Sequence, residues 1–98
     1  MTDDIGNDLA AYIVETRHDA VSQEAIEAAK KSILDLLGVT LAASGLDPAM
    51  RRIVDLIREC GGPPESSVIG FGGRAPAIWA AFANGAMAHC LDYDDLTP

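Results

Sequence analysis

The sequence predicts an all-α fold: four helices, with one short strand-like segment between the third and the fourth. Three observations carry that expectation. Apolar residues recur at spacings of three and four through most of the chain, the period of a helix with one buried face. Capping residues and breakers stand at the ends of those runs, at Ser22, Asp47-Pro48, Gly61-Gly62-Pro63-Pro64 and Pro76. Alanine and glycine are abundant while aromatics make up 5% of the chain, a composition of closely packed helices rather than a β-sandwich.

The first helix is read over Asp8–Arg17. Leu9, Tyr12 and Ile13 share a face there, and the acids ahead of it favour the positive end of the helix dipole. His18 follows in a polar connection and reads as a solvated side chain. Ser22 caps the second helix, with Glu24 in its first turn. Ile26, Ala29, Ile33, Leu36, Leu37, Thr40 and Leu41 form its expected buried stripe. Glu27 and Lys31, four apart with the acid first, are expected to pair for a few tenths of a kcal/mol. Asp35 points to solvent or to Lys31. Gly38 inside a helix costs about 1 kcal/mol relative to alanine, which a close helix crossing would justify.

Ser44-Gly45-Leu46 closes the second helix, and Asp47-Pro48 opens the third with a capping acid and a proline at its first position. Met50, Ile53, Val54 and Ile57 line one face. Arg51, Arg52, Asp55, Arg58 and Glu59 line the other, with Arg51 and Asp55 four apart. The Arg51-Arg52 pair invites an anion, but a solvated face with ion pairs is the plainer reading. The glycines and prolines at 61–64 stop the helix. Ser66–Phe71 is strand-like, with no partner strand visible. The glycines after it do not make a phosphate loop, because GFGGRA has neither the G-x-x-x-x-G-K-[ST] nor the G-x-G-x-x-G spacing.

Pro76 suits the first turn of a fourth helix that runs to Leu91. Small residues surround Ile78, Trp79, Phe82, Met87 and Leu91, so this helix is apolar on nearly every side and is expected to be central, packed all round. The other three helices offer too little apolar face to cover it. The chain therefore reads as a piece of something larger or as one part of an obligate oligomer.

Composition narrows the function classes. Ninety-eight residues make at most one domain with a modest core. Fifteen acids against seven bases give a formal charge of -8, which argues against a phosphate-tracking nucleic-acid binder. Cys60 and Cys90 make neither a disulfide framework nor a metal-ligand spacing, which points to a reducing compartment. The acidic start, MTDDIGND, lacks the layout of a secretory signal. The run from Ala75 to Leu91 falls short of the ~20 residues of a membrane span. A soluble, cytoplasmic protein with no nucleic-acid or membrane partner is expected.

The chemistry gathers at the end of the fourth helix. His89, Asp92 and Asp95 lie at intervals of three on one helical face, with Asp94 turned elsewhere. Acids at a helix C-terminus oppose the dipole. Repulsion and burial there would raise carboxylate pKa values and hold a proton for acid–base work. A solvated acidic helix end is the plain alternative. A metal-diphosphate motif of the form D-D-x-x-D beginning at Asp94 needs an acid at position 98, where Pro98 stands. Proton transfer beside a carboxylate-bearing substrate is the other chemical reading.

Three stretches together, KKSILDLLGVTLAAS, SSVIGFGGRAPA and above all ANGAMAHCLDYDD, resemble the MmgE/PrpD family from about Ser22 to the end. The block N-G-A-x-A-H-x-L-D-[FY]-D-D is the specific part. The family includes 2-methylcitrate dehydratase, cis-aconitate decarboxylase and iminodisuccinate epimerase. The resemblance implies that residues 1–98 are the N-terminal part of a large helical domain, completed elsewhere and joined by a smaller α/β lid. It also implies homodimerisation, no metal or organic cofactor, and proton transfer on small di- or tricarboxylates with loss of water or CO₂.

Carried over by position, the resemblance makes Asp92 the catalytic acid or base. Asp95, Thr97 and His89 become the substrate-side residues, Asp95 supporting Asp92 and His89 holding the helix end. Family members commonly carry threonine directly after the D-D pair, whereas Leu96 intervenes here before Thr97. The family's remaining catalytic side chains come from beyond this stretch, so the 98-residue chain is expected to be inactive alone. The alternative from a different class is a non-catalytic helical assembly or interaction module that uses the apolar face of residues 75–91.

Overall fold

The computed structural model describes residues 4–91. Its elements are α1 (Ile5–Glu15), a single 3₁₀ turn (His18–Ala20), α2 (Gln23–Leu46), α3 (Pro48–Cys60), β1 (Ser66–Ser67), β2 (Arg74–Ala75) and α4 (Ala77–Cys90). The fold is all-α with a two-stranded ribbon, as the periodicity predicts. The chain divides within α2, between Lys31 and Ser32, into two units.

The first unit begins with α1, which starts at Ile5 rather than Asp8. Asp4 is its cap, the carboxylate accepting the Gly6 N–H at 2.9 Å. Ile5, Leu9, Tyr12 and Ile13 are all exposed, so the predicted inner face of α1 exists as a stripe but buries nothing. His18 lies in the 3₁₀ turn, where Arg17 meets Asp19 at 3.6 Å. Both partners of that pair are exposed, and it adds little. The cap at Ser22 forms as expected, its hydroxyl accepting the Ala25 N–H at 3.1 Å. Glu27 takes Lys30 at 3.4 Å and the Gln23 amide at 2.8 Å in place of Lys31. A helix face offers partners at both three and four residues, and the nearer ammonium is the one engaged.

The second unit holds the core: Ala43, Met50, Val54, Ile57, Val68, Ala75, Ala80, Ala83 and Met87. α3 starts at a capping Asp47, whose carboxylate accepts the Ala49 N–H at 2.9 Å, and stops at Gly61 with φ 68°. α3 packs against α4, and both strands rest on α4. Two expectations about packing are corrected. The stripe of α2 is mostly open, with Ile33, Leu36, Leu37 and Leu41 48–57% exposed, and only Thr40 and Ala43 buried. α4 is packed on one face rather than all round: Ala80, Ala83 and Met87 are inside, while Ile78, Trp79 and Phe82 are 75%, 43% and 57% exposed. Three helices and a ribbon cannot enclose a fourth that is apolar on every side.

The strand-like segment is also corrected. It does not stand alone; Ser66 pairs with Ala75 and Ser67 with Arg74, antiparallel. Gly70, Gly72 and Gly73 all adopt positive φ and turn the chain back, a conformation that side chains with a Cβ resist. Gly70 has a second reason to be glycine: a Cβ there would run into the Ser44 side chain. The close approach expected at Gly38 is absent, since nothing lies within 4 Å of a Cβ built there. It occurs at Gly70 instead, where α2 meets the turn.

Candidate functional site

α4 carries the first part of the block, Asn84 to Cys90, and two side chains tie it to neighbouring segments. Asn84, half-buried, uses both ends of its amide: Oδ1 accepts the Ile69 N–H at 2.9 Å, and Nδ2 donates to the Ser67 carbonyl at 3.0 Å. At the N-terminus of α4, Pro76 has no side chain with which to cap. Glu65 takes that role from a distance, its Oε2 accepting the Ala77 N–H at 3.0 Å.

The C-terminal end of α4 reaches the start of α3. There the Asp47 carboxylate that caps α3 also faces the Cys90 thiol. Burial pushes the Cys90 thiol above its ordinary range, and the charge of Asp47 adds to that rise because a thiolate beside a carboxylate is repelled. Cys90 is half-buried and His89 is exposed in the last turn. Asp92, Asp94, Asp95 and Thr97 follow directly and lie outside the described residues. Of the predicted site, His89 alone is placed. Among the described residues no three His, Cys, Asp or Glu side chains form a metal-binding group.

Arginines on α3 engage the glycine turn. Arg58 Nη2 donates to the Phe71 carbonyl at 2.8 Å and to the Gly72 carbonyl at 2.9 Å. The Arg51 guanidinium lies 5.1 Å from the centre of the Phe71 ring, within range of a cation–π contact. The turn thus shows carbonyls to a cation, the opposite polarity to a phosphate loop, whose N–H groups face an anion. Arg51 is committed to Phe71 rather than to the expected Asp55.

On the outer side of α3 and α4, Ile53, Leu56, Ile57, Cys60, Trp79 and Phe82 line an open groove of about 280 Å³. Trp79 and Phe82 meet edge to face at 6.3 Å. Sequence reasoning missed the groove, the Asp47–Cys90 pair and the Asn84 bridge. Only the last left a signal, as a lone amide in an otherwise apolar run.

No single helix among the described residues is long and apolar enough to cross a membrane. No curated protein and no solved structure matches the chain. Residues 7–97 match the sequence model of the MmgE/PrpD N-terminal domain. That match spans both units and includes the block N-G-A-M-A-H-C-L-D-Y-D-D; the chain belongs to the MmgE/PrpD family.

Proposed function

We propose that this chain forms the N-terminal part of the helical domain of a cofactor-independent lyase or isomerase. Its substrate is a small di- or tricarboxylate, and its chemistry is proton transfer of the 2-methylcitrate dehydratase kind. The observation that carries this reading is the family match over residues 7–97, which takes in Asp92. Asp92 is the acid or base, moving the proton at the carbon next to a substrate carboxylate. Asp95, Thr97 and His89 stand on the substrate side, and no metal or organic cofactor takes part. The enzyme works as a homodimer in the cytoplasm, consistent with two free thiols at Cys60 and Cys90.

A substrate with two or three carboxylates needs cationic partners. Arg58 is already held by the turn carbonyls and Arg51 by Phe71. With a formal charge of -8 the chain has no surplus of cations to offer, so those that bind substrate come from outside residues 1–98, and the 98-residue chain is inactive alone. Dehydration, decarboxylation or epimerisation by the purified chain, assayed on a panel of such acids, would refute this. In the longer enzyme, Asp92→Asn lowers kcat by about 10²–10⁴ with little change in melting temperature. Unchanged turnover removes Asp92 from the mechanism.

The exposed apolar groove favours a second reading, a non-catalytic assembly module. Light scattering of the 98-residue chain separates the two. A stable defined oligomer supports the module, whereas an aggregating chain that is rescued by the remainder of an enzyme supports the domain.

A further inference from the structure

We propose that Asn84 is a positioning residue, which sets where α4 stands along its own axis against the ribbon and hence how the block that begins at Asn84 is presented in the enzyme. The role of that block rests on the proposed function; the positioning itself does not.

α4 is almost without polar side chains. From Ala77 to Ala88 its side chains are apolar or absent, with Asn84 the single exception. Its packed face consists of Ala80, Ala83 and Met87. Apolar contact is non-directional and scales with area, so a face of small residues packs almost equally well after a small slide. Hydrogen bonds discriminate where such packing does not, since they weaken steeply with distance and angle. One residue of helix is about 1.5 Å of travel, enough to break a bond of 2.9 Å.

Asn84 makes two such bonds, and in opposite senses. It accepts from Ile69 N–H and donates to the Ser67 carbonyl, two backbone groups on either side of Val68 where β1 runs into the turn. An amide is the side chain that offers both functions at that spacing. The pair resembles the ladder edge of a strand, presented by a helix. Asparagine is a poor helix former because its side chain competes for backbone groups, so its place here is accounted for by the bridge. The block that carries the family resemblance begins at Asn84 itself, and a displacement of about 1 Å at a catalytic group costs on the order of 10²-fold in rate.

The test uses two variants and two readouts. Asn84→Leu keeps the size and removes both bonds. Asn84→Gln keeps donor and acceptor on a longer arm. In the 98-residue chain, hydrogen exchange at the Ile69 amide is expected to rise about tenfold or more in Asn84→Leu and by less in Asn84→Gln. In the longer enzyme implied by the proposed function, Asn84→Leu is expected to lower kcat per folded molecule tenfold or more, with KM within about threefold. Asn84→Gln should restore part of that loss. A purely structural role would reduce the folded fraction and leave kcat per folded molecule unchanged, and that result overturns the proposal. Unaltered Ile69 exchange in Asn84→Leu overturns it as well. Should Asn84→Leu fail to fold, Asn84→Gln decides alone: kcat equal to wild type sinks the idea, and a lowered kcat at normal stability sustains it. If Asp92→Asn keeps full turnover, the functional reading is the one that fails, and Ile69 exchange still judges the bridge.

Discussion

At the scale of single residues, the decisive features are those whose neighbours come from far along the chain. Gly70 has φ +82°, and a Cβ there would overlap Ser44. Gly70→Ala is therefore expected to lower unfolding stability by about 2 kcal/mol or more, combining a left-handed backbone with a forced shift of α2; chemical denaturation measures it. Gly38→Ala is the control. With open space around it and a helical backbone, it should gain up to about 1 kcal/mol. The two cysteines also differ. Cys60 is exposed and Cys90 is half-buried against Asp47. Iodoacetamide followed by mass spectrometry should find Cys60 modified well before Cys90 at neutral to mildly alkaline pH. The raised Cys90 pKa has a stability consequence. The folded thiol holds its proton more tightly than the unfolded one, whose value is near 9.0. Its contribution is full below that pH and is lost as pH rises through the folded value. Neither glycine role nor either thiol environment is a property of local sequence.

At the scale of elements, the ends of α2, α3 and α4 were legible, and so was the buried face of α3, while the bounds of α1 and the faces of α2 and α4 were not. Ser22, Asp47-Pro48 and the glycines at 61–62 act as the sequence indicates, because capping joins residues two or three apart. The stripe of α2 and the all-round apolar surface of α4 were equally plain as patterns. Which part of each is buried depends on crossings that no periodicity encodes. The second strand is the same case: Arg74-Ala75 has no strand signal of its own and pairs because a glycine turn returns it to Ser66-Ser67. Asp47 joins both kinds of information, capping α3 locally and facing Cys90 across the fold. Asp47→Ala should cost about 1 kcal/mol as a lost cap. It should also speed Cys90 alkylation, since the carboxylate that discourages the thiolate is gone while burial remains. Unchanged Cys90 reactivity would separate the two roles.

At the scale of the whole molecule, the uncovered apolar surface is the main fact. Leu56, Ile78, Trp79 and Phe82 are all exposed, and three of them line the groove of α3 and α4. Trp79 is the sole tryptophan and reports on that groove directly. In the isolated chain its fluorescence should be readily quenched by acrylamide. Covering the groove, by the rest of an enzyme or by another chain, should shift the emission to the blue and protect it. Emission that is already protected in a monomeric chain would mean that the groove is closed.

The sequence by itself determined where α2, α3 and α4 start and stop, that the fold is all-α, and that the block ending in Asp95 belongs to the MmgE/PrpD family. These are linear properties: capping, period and motif connect residues within a few positions of one another. The tertiary structure decided which faces are packed, why Gly70 is glycine, that Arg51 and Arg58 serve the turn rather than an anion, and that Glu65 caps the start of the site helix while Asn84 ties its middle to the ribbon. Those depend on directional contacts between residues remote in the chain. They exist only once the helices have crossed.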